Sequence, residues 1–124
     1  METVLVTGGA GFIGSNIAEA LLREGYQVVV LDDLSTGRRE NIEHLLDDDN
    51  FTFIQGSILD SGLLRSIIKL HAVSRISHQA AIPSVIKSIQ DPVATSEVNI
   101  IGTVNLFDIA SERGCKRIVF ASSC

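Results

Sequence analysis

The chain has 124 residues, 45% apolar and 20% charged, with a formal net charge of −5. That length suits one domain with a single core and leaves little room for a second. The acidic balance gives no basic footprint for nucleic acid, and no apolar run approaches the length of a membrane span.

Met1 runs straight into Thr3-Val4-Leu5-Val6-Thr7, which reads as a buried strand rather than a signal peptide. After a glycine-rich turn, Ile13, Ile17 and Leu21 recur every fourth residue, the spacing of one helix face. Gly25 ends that helix, because glycine tolerates the left-handed backbone a helix end requires. Val28 to Leu31 forms a second strand that closes on Asp32, and 33–37 is a polar loop. The spacing predicts a short helix from Arg39 to Leu46, with Ile42, Leu45 and Leu46 inward. Asp47-Asp48-Asp49-Asn50 is a solvated loop, since no spaced oxygen ligands accompany the three carboxylates. Phe51 to Ile54 is the third strand.

Asp60 is the N-cap of a helix whose apolar stripe is Leu63, Leu64, Ile67 and Ile68. Val73 to His78 is a fourth strand with an odd pattern. Arg75 and Ser77 alternate with Val73 and Ile76, which is unusual where both faces are buried. Asp91-Pro92 opens a long helix, with Ile101, Val104, Phe107 and Ala110 inward and Gly114 at its end. Arg117 to Ala121 is the fifth strand. Strands alternating with helices imply an α/β fold: a doubly wound parallel sheet of about five strands, helices on both faces. Residues 1–124 read as one domain. Cys115 and Cys124 have neither zinc-type nor redox-type spacing, so a reduced, cytoplasmic setting is expected.

Thr7-Gly8-Gly9-Ala10-Gly11-Phe12-Ile13-Gly14 carries the strongest chemistry. Gly8, Gly11 and Gly14 sit three apart between a strand and a helix, the Rossmann-type setting in which such glycines hold a dinucleotide. Gly8 allows the tight turn, Gly11 lets a diphosphate approach the backbone, and Gly14 lets the helix pack on the sheet. The helix start offers unpaired N–H groups and partial positive charge to phosphate. Asp32 lies at about the offset where a carboxylate meets the adenosine ribose. Its charge would repel a 2′-phosphate, favouring NAD over NADP. Arg38 and Arg39, which could favour NADP, are discounted because they lie six and seven residues later.

With these residues in view, the chain resembles the extended short-chain dehydrogenases/reductases, in particular the NAD-dependent nucleotide-sugar epimerases and dehydratases, and most of all the UDP-hexose 4-epimerases. The likeness rests on residues 7–14, on Asp32-Asp33-Leu34-Ser35-Thr36-Gly37, on His78-Gln79-Ala80-Ala81, on 88–92, on Asn99 to Thr103, and on Ala121-Ser122-Ser123. The resemblance implies that Phe12 and Ile13 present backbone N–H groups to the diphosphate. Asp32 would take the ribose, with Asp33, Ser35 and Thr36 around it. Ser57, before Ile58, stands where the family usually has an Asp for the adenine amino group, so a charge-assisted bond is lost there. Ala80, Ala81 and Ile82 would line the cofactor near its nicotinamide ribose. Pro83 replaces a Lys found in some relatives. Ser84 would lie near the sugar, and Asn99 would be a buried polar residue beside the cofactor, although it could equally bond to neighbouring backbone. His78 and Ser122 read as structural.

The family uses a Ser/Thr, a Tyr and a Lys. The Tyr phenolate takes the substrate hydroxyl proton, the Lys lowers the Tyr pKa, and hydride passes to NAD. In this alignment Ser123 is the catalytic Ser, and the YxxxK pair and the sugar-nucleotide domain would follow Cys124. The single tyrosine, Tyr26, belongs at the far end of the second strand from the site. The chain therefore reads as the NAD-binding portion of a nucleotide-sugar 4-epimerase, itself inactive, with a dehydratase portion or a stand-alone NAD-binding module as alternatives. An in-frame YxxxK beyond Cys124 would separate the first from the last. No metal site is expected. The partners expected are a nucleotide sugar for the longer enzyme and a second copy of the chain. Self-association follows from the fifth strand, which would lie at a sheet edge.

Overall fold

A computed structural model of the chain describes residues 2–34, 37–79 and 109, and the backbone of 117–120. The elements are β1 (Thr3–Thr7), α1 (Phe12–Arg23), β2 (Gln27–Asp32), β3 (Phe51–Gln55), α2 (Ser61–Leu70), β4 (Val73–His78) and β5 (Arg117–Phe120). All strand pairs are parallel, in the order β3-β2-β1-β4-β5. The expected doubly wound α/β sheet is what forms. The long helix expected after Asp91 falls outside the described residues except at Ile109, which is helical and buried.

Strand alternation sends side chains to two cores. Val4, Val6, Val28 and Val30 pack with Ala18 of α1 on one face. Leu5, Val29, Leu31 and Ile76 pack with Leu64, Ile67 and Ile68 of α2, and with Ile109, on the other. Because both faces of β1 are covered, all five of its residues are buried.

The odd pattern of β4 has a geometric cause. Thr3 of β1 pairs with Val73, but Val4 pairs with Arg75, so Ser74 is an extra residue at a bulge. The bulge turns Val73 and Ile76, three apart in sequence, toward the same core. Arg75 then meets Glu2 in an ion pair of 3.2 Å.

Two helix starts and stops follow the local chemistry. Asp60 caps α2, its carboxylate accepting the Leu63 N–H at 3.1 Å. At the end of α1, Gly25 takes φ +91° while the N–H groups of Gly25 and Tyr26 bond the carbonyls of Leu22 and Leu21.

Three expectations need correction. Ile13 is 65% exposed rather than inward, because the first turn of α1 projects past the strand ends; Ile17 and Leu21 do pack on the core. The predicted helix from Arg39 to Leu46 is two single 3₁₀ turns, Arg39–Asn41 and Glu43–Leu45. Ile42 and Leu45 are buried as expected, but Leu46 is exposed, because the tighter 3₁₀ winding carries it off the inward face.

Candidate dinucleotide site

Thr7, Asp32, Gln55 and His78 end four adjacent parallel strands along one edge of the sheet. The chain passes from β1 outward through β2 to β3, then returns to place β4 on the other side of β1. Such a reversal opens a crevice at the strand ends, and ligands of doubly wound sheets bind there.

The glycine turn occupies that crevice. Gly8 has φ +71°, a conformation costly to residues with a Cβ, and its N–H donates to the Leu31 carbonyl at 2.8 Å. A Cβ on Gly14 would lie 2.3 Å from the Gly8 carbonyl oxygen and 2.8 Å from the Gly9 Cα, so the α1 backbone rests directly on the turn. Gly11 differs. Among the described residues only the Gly8 oxygen, at 3.4 Å, would meet a Cβ there, which leaves room for a ligand to approach the Gly11 backbone.

Gly11 is also the N-cap of α1, with no side chain capping it and no acidic residue in the first turn. The Phe12, Ile13 and Gly14 N–H groups therefore have no intrahelical acceptor, and no acidic side chain of the first turn offsets the positive end of the helix. The side chains of Phe12 and Ile13 stand largely in solvent. Residues, turn and helix start thus fit the diphosphate of a dinucleotide.

Asp32 is 8% exposed at the end of β2. Its Oδ2 accepts the Ala10 N–H at 2.9 Å and its Oδ1 accepts the Leu34 N–H at 2.8 Å. Burial raises its pKa, the two backbone bonds lower it, and the Asp33 charge raises it further. Among the described residues each oxygen accepts one bond, and an ionised carboxylate offers about four acceptor sites, so its chemistry suits a ribose hydroxyl. Asp32 thus serves the fold and remains able to serve a ligand.

The Asp32 carbonyl accepts the Gly56 N–H at 3.1 Å, which brings the turn after β3 beside it. In that turn the Ser57 hydroxyl accepts the Leu59 N–H at 3.0 Å. The Ile58 side chain is buried in the α2 core, which leaves only its backbone for a ligand. On the other side of β1, the Gln79 N–H donates to the Thr7 carbonyl at 2.9 Å, so the chain leaves β4 alongside the glycine turn. His78 is buried and bonded to the Thr7 hydroxyl, and desolvation lowers its pKa to about 4. That agrees with its structural reading.

Gly8, Gly11, Phe12, Ile13, Gly14, Asp32, Asp33, Ser57 and Ile58 thus fall on one edge of the sheet. Ser35, Thr36, Ala80, Ala81, Ile82, Ser84, Asn99 and Ser123 lie outside the described residues. Among the described residues no group of three or more His, Cys, Asp or Glu is arranged to hold a metal ion, and no helix is long and apolar enough to cross a membrane.

One contact of the site has no local motif to announce it. The Arg38 N–H and the Asn41 side-chain amide both donate to the Ala10 carbonyl, at 2.9 and 2.8 Å. Arg38 therefore sits next to the glycine turn, although six residues separate it from Asp32. Sequence distance alone does not remove it from the ribose. Arg39 does lie elsewhere, its guanidinium 5.7 Å from the Phe53 ring centroid.

Comparison with known proteins matches residues 5–124 to the family model described as GDP-mannose 4,6 dehydratase. A UDP-glucose 4-epimerase of Mycolicibacterium smegmatis is 42% identical over 119 residues, covering 96% of this chain and 38% of that protein. The crystal structure of the Thermus thermophilus UDP-glucose 4-epimerase in complex with NAD superposes with TM-score 0.87 at 42% identity, covering 97% of this chain and 37% of that one. The Thermotoga maritima UDP-glucose 4-epimerase with UDP-glucose gives TM-score 0.89 at 38% identity, again over 97% and 37%. The chain thus spans little more than a third of the length of the relatives it matches.

Proposed function

The chain belongs to the GDP-mannose 4,6 dehydratase family, and from that premise we propose that it is the NAD-binding portion of a nucleotide-sugar 4-epimerase of the UDP-hexose type. The observation that carries this reading is the Asp32 carboxylate bonded to the glycine turn, one strand from an uncapped helix start. The arrangement offers a donor surface for a diphosphate and, a few ångströms away, an acceptor for a ribose. Relatives of the UDP-glucose 4-epimerase kind carry NAD in this fold.

In this reading the Phe12 and Ile13 N–H groups hold the diphosphate, and Asp32 holds the adenosine ribose with Asp33, Ser35 and Thr36 around it. Ser57 and the Ile58 backbone meet the adenine. Ala80, Ala81, Ile82 and Asn99 line the nicotinamide half, Ser84 faces the sugar, and Ser123 bonds the reacting oxygen. NAD supplies a reversible hydride acceptor for the sugar carbinol. Asp32 sets the preference for NAD over NADP by repelling a 2′-phosphate.

These 124 residues hold the cofactor without turning over a sugar. Their one tyrosine, Tyr26, packs on the α1 side just ahead of β2, at the opposite end of the sheet from the glycine turn. A dehydratase of the same family is the second reading, favoured by the description of the matching family model. The chain also pairs with a second copy, since β5 is the outermost strand on its side among the described residues.

The test is to denature the purified chain, measure released NAD, and assay the native chain on UDP-hexoses. The reading expects bound or readily bound NAD and no epimerisation. Turnover of UDP-glucose by the chain alone would contradict it.

A further inference from the structure

Ala10 lies at the middle of the glycine turn and is fully buried. Its N–H and carbonyl are both engaged, by the last residue of β2 and by the segment that follows it. The N–H goes to Asp32 Oδ2 at 2.9 Å, and the carbonyl receives both the Arg38 N–H and the Asn41 Nδ2, at 2.9 and 2.8 Å. The segment can lie this close because residue 37 is glycine. A Cβ there would stand 2.7 Å from Asp32 Oδ2 and 2.9 Å from the Ala10 carbonyl carbon. Ile42, next to Asn41, is fully buried in the α1 core, so the amide is delivered from an anchored turn.

We propose that Asn41 is a positioning residue of the cofactor site. Its amide, acting through the two peptide groups that meet at Ala10, holds the diphosphate turn and the ribose carboxylate as one rigid unit. The inference rests on the NAD reading above and adds a residue that need not touch the cofactor. Without the amide, the Ala10 carbonyl keeps, among the described residues, the Arg38 N–H alone, and the Ala10–Gly11 peptide is held less firmly. A shift of that peptide strains its own N–H bond to the Gly8 carbonyl and, through the shared Ala10 Cα, the bond from the Ala10 N–H to Asp32, so the turn that presents Phe12 and Ile13 moves with it. The ribose and diphosphate subsites lose their fixed relation, which weakens a ligand spanning both.

The test is calorimetric titration of the chain with NAD in four forms: native, Asn41→Ala, Asp32→Ala and the double variant, with thermal melts alongside. Asn41→Ala should weaken NAD about tenfold in the native background, the scale of one well-placed hydrogen bond and its preorganisation. In the Asp32→Ala background it should cost about threefold or less, because the coupling runs through Asp32. A residue that only supported the fold would cost the same factor in both backgrounds, and that result would overturn the proposal. So would an unchanged affinity in Asn41→Ala. Should that variant not fold, Asn41→Ser, which keeps a shorter donor, should show a smaller loss with the same dependence on Asp32, and equal losses again overturn it. Failure of the native chain to bind NAD is a separate outcome that overturns the proposed function itself.

Discussion

Thr7 and His78 meet where β1 and β4 end, the Thr7 hydroxyl bonded to the His78 Nδ1 in a buried contact. The same hydroxyl accepts the Gln79 N–H at 3.0 Å. With the ring neutral, the hydroxyl proton is free to point at Nδ1. Three groups are thereby satisfied at the residue that leads into the glycine turn.

This pairing predicts a pH dependence. Burial lowers the His78 pKa from 6.5 to about 4 in the folded chain. The unfolded chain therefore binds a proton first as pH falls. Stability from this group is complete above about pH 6.5, declines as pH drops toward 4, and is level below that. Between pH 7 and 5 the native chain should lose about 2 kcal/mol that His78→Gln does not lose. Urea melts at the two pH values measure it. Equal losses in both proteins would remove His78 as the cause.

Gly11 and Gly14 should separate binding from folding. Gly14→Ala drives a Cβ onto the Gly8 carbonyl, a backbone atom that cannot swing away. It should cost about 2 kcal/mol or more, seen as a Tm lowered by roughly 10 °C. Gly11 has φ −74°, ordinary for alanine, and an open side. Gly11→Ala should melt within a few degrees of the native chain yet bind NAD at least tenfold more weakly. Equal effects on Tm would refute the division of roles.

The cofactor preference should turn on Asp32. Asp32→Ser removes the charge opposing a 2′-phosphate and leaves Arg38, held at the Ala10 carbonyl, nearby. The ratio of NADP to NAD affinity should rise at least tenfold, read by competitive titration. A ratio that does not move would mean that discrimination lies in other residues.

The sheet edge should make the chain self-associate. Sedimentation velocity at increasing concentration should show a species heavier than the 13.3 kDa monomer. A single monomeric boundary up to the highest concentration would count against it.

What could be read from the sequence was what is encoded locally. Gly8, Gly11, Gly14 and Asp32 declare themselves by spacing from a strand, and Asp60 by its place before an apolar stripe. What could not be read depends on contacts between distant residues. Periodicity puts Ile13 on one helix face with Ile17 and Leu21, but it does not register where the sheet stops, and Ile13 is exposed. The bulge at Ser74 needs the register of β1 against β4, so Val73 and Ile76 looked like a flaw in a strand. Asn41 carries no motif, and its partner Ala10 lies 31 residues away, brought near by the return of the chain over the glycine turn. The same return brings the Arg38 backbone to the Ala10 carbonyl, which its distance from Asp32 in the sequence does not show.

Whether the glycine turn and Asp32 form a site for NAD is decided by titration calorimetry of the purified native chain. Saturable one-to-one binding of NAD is expected, with NADP bound more weakly. No binding of NAD, or tighter binding of NADP, would contradict it.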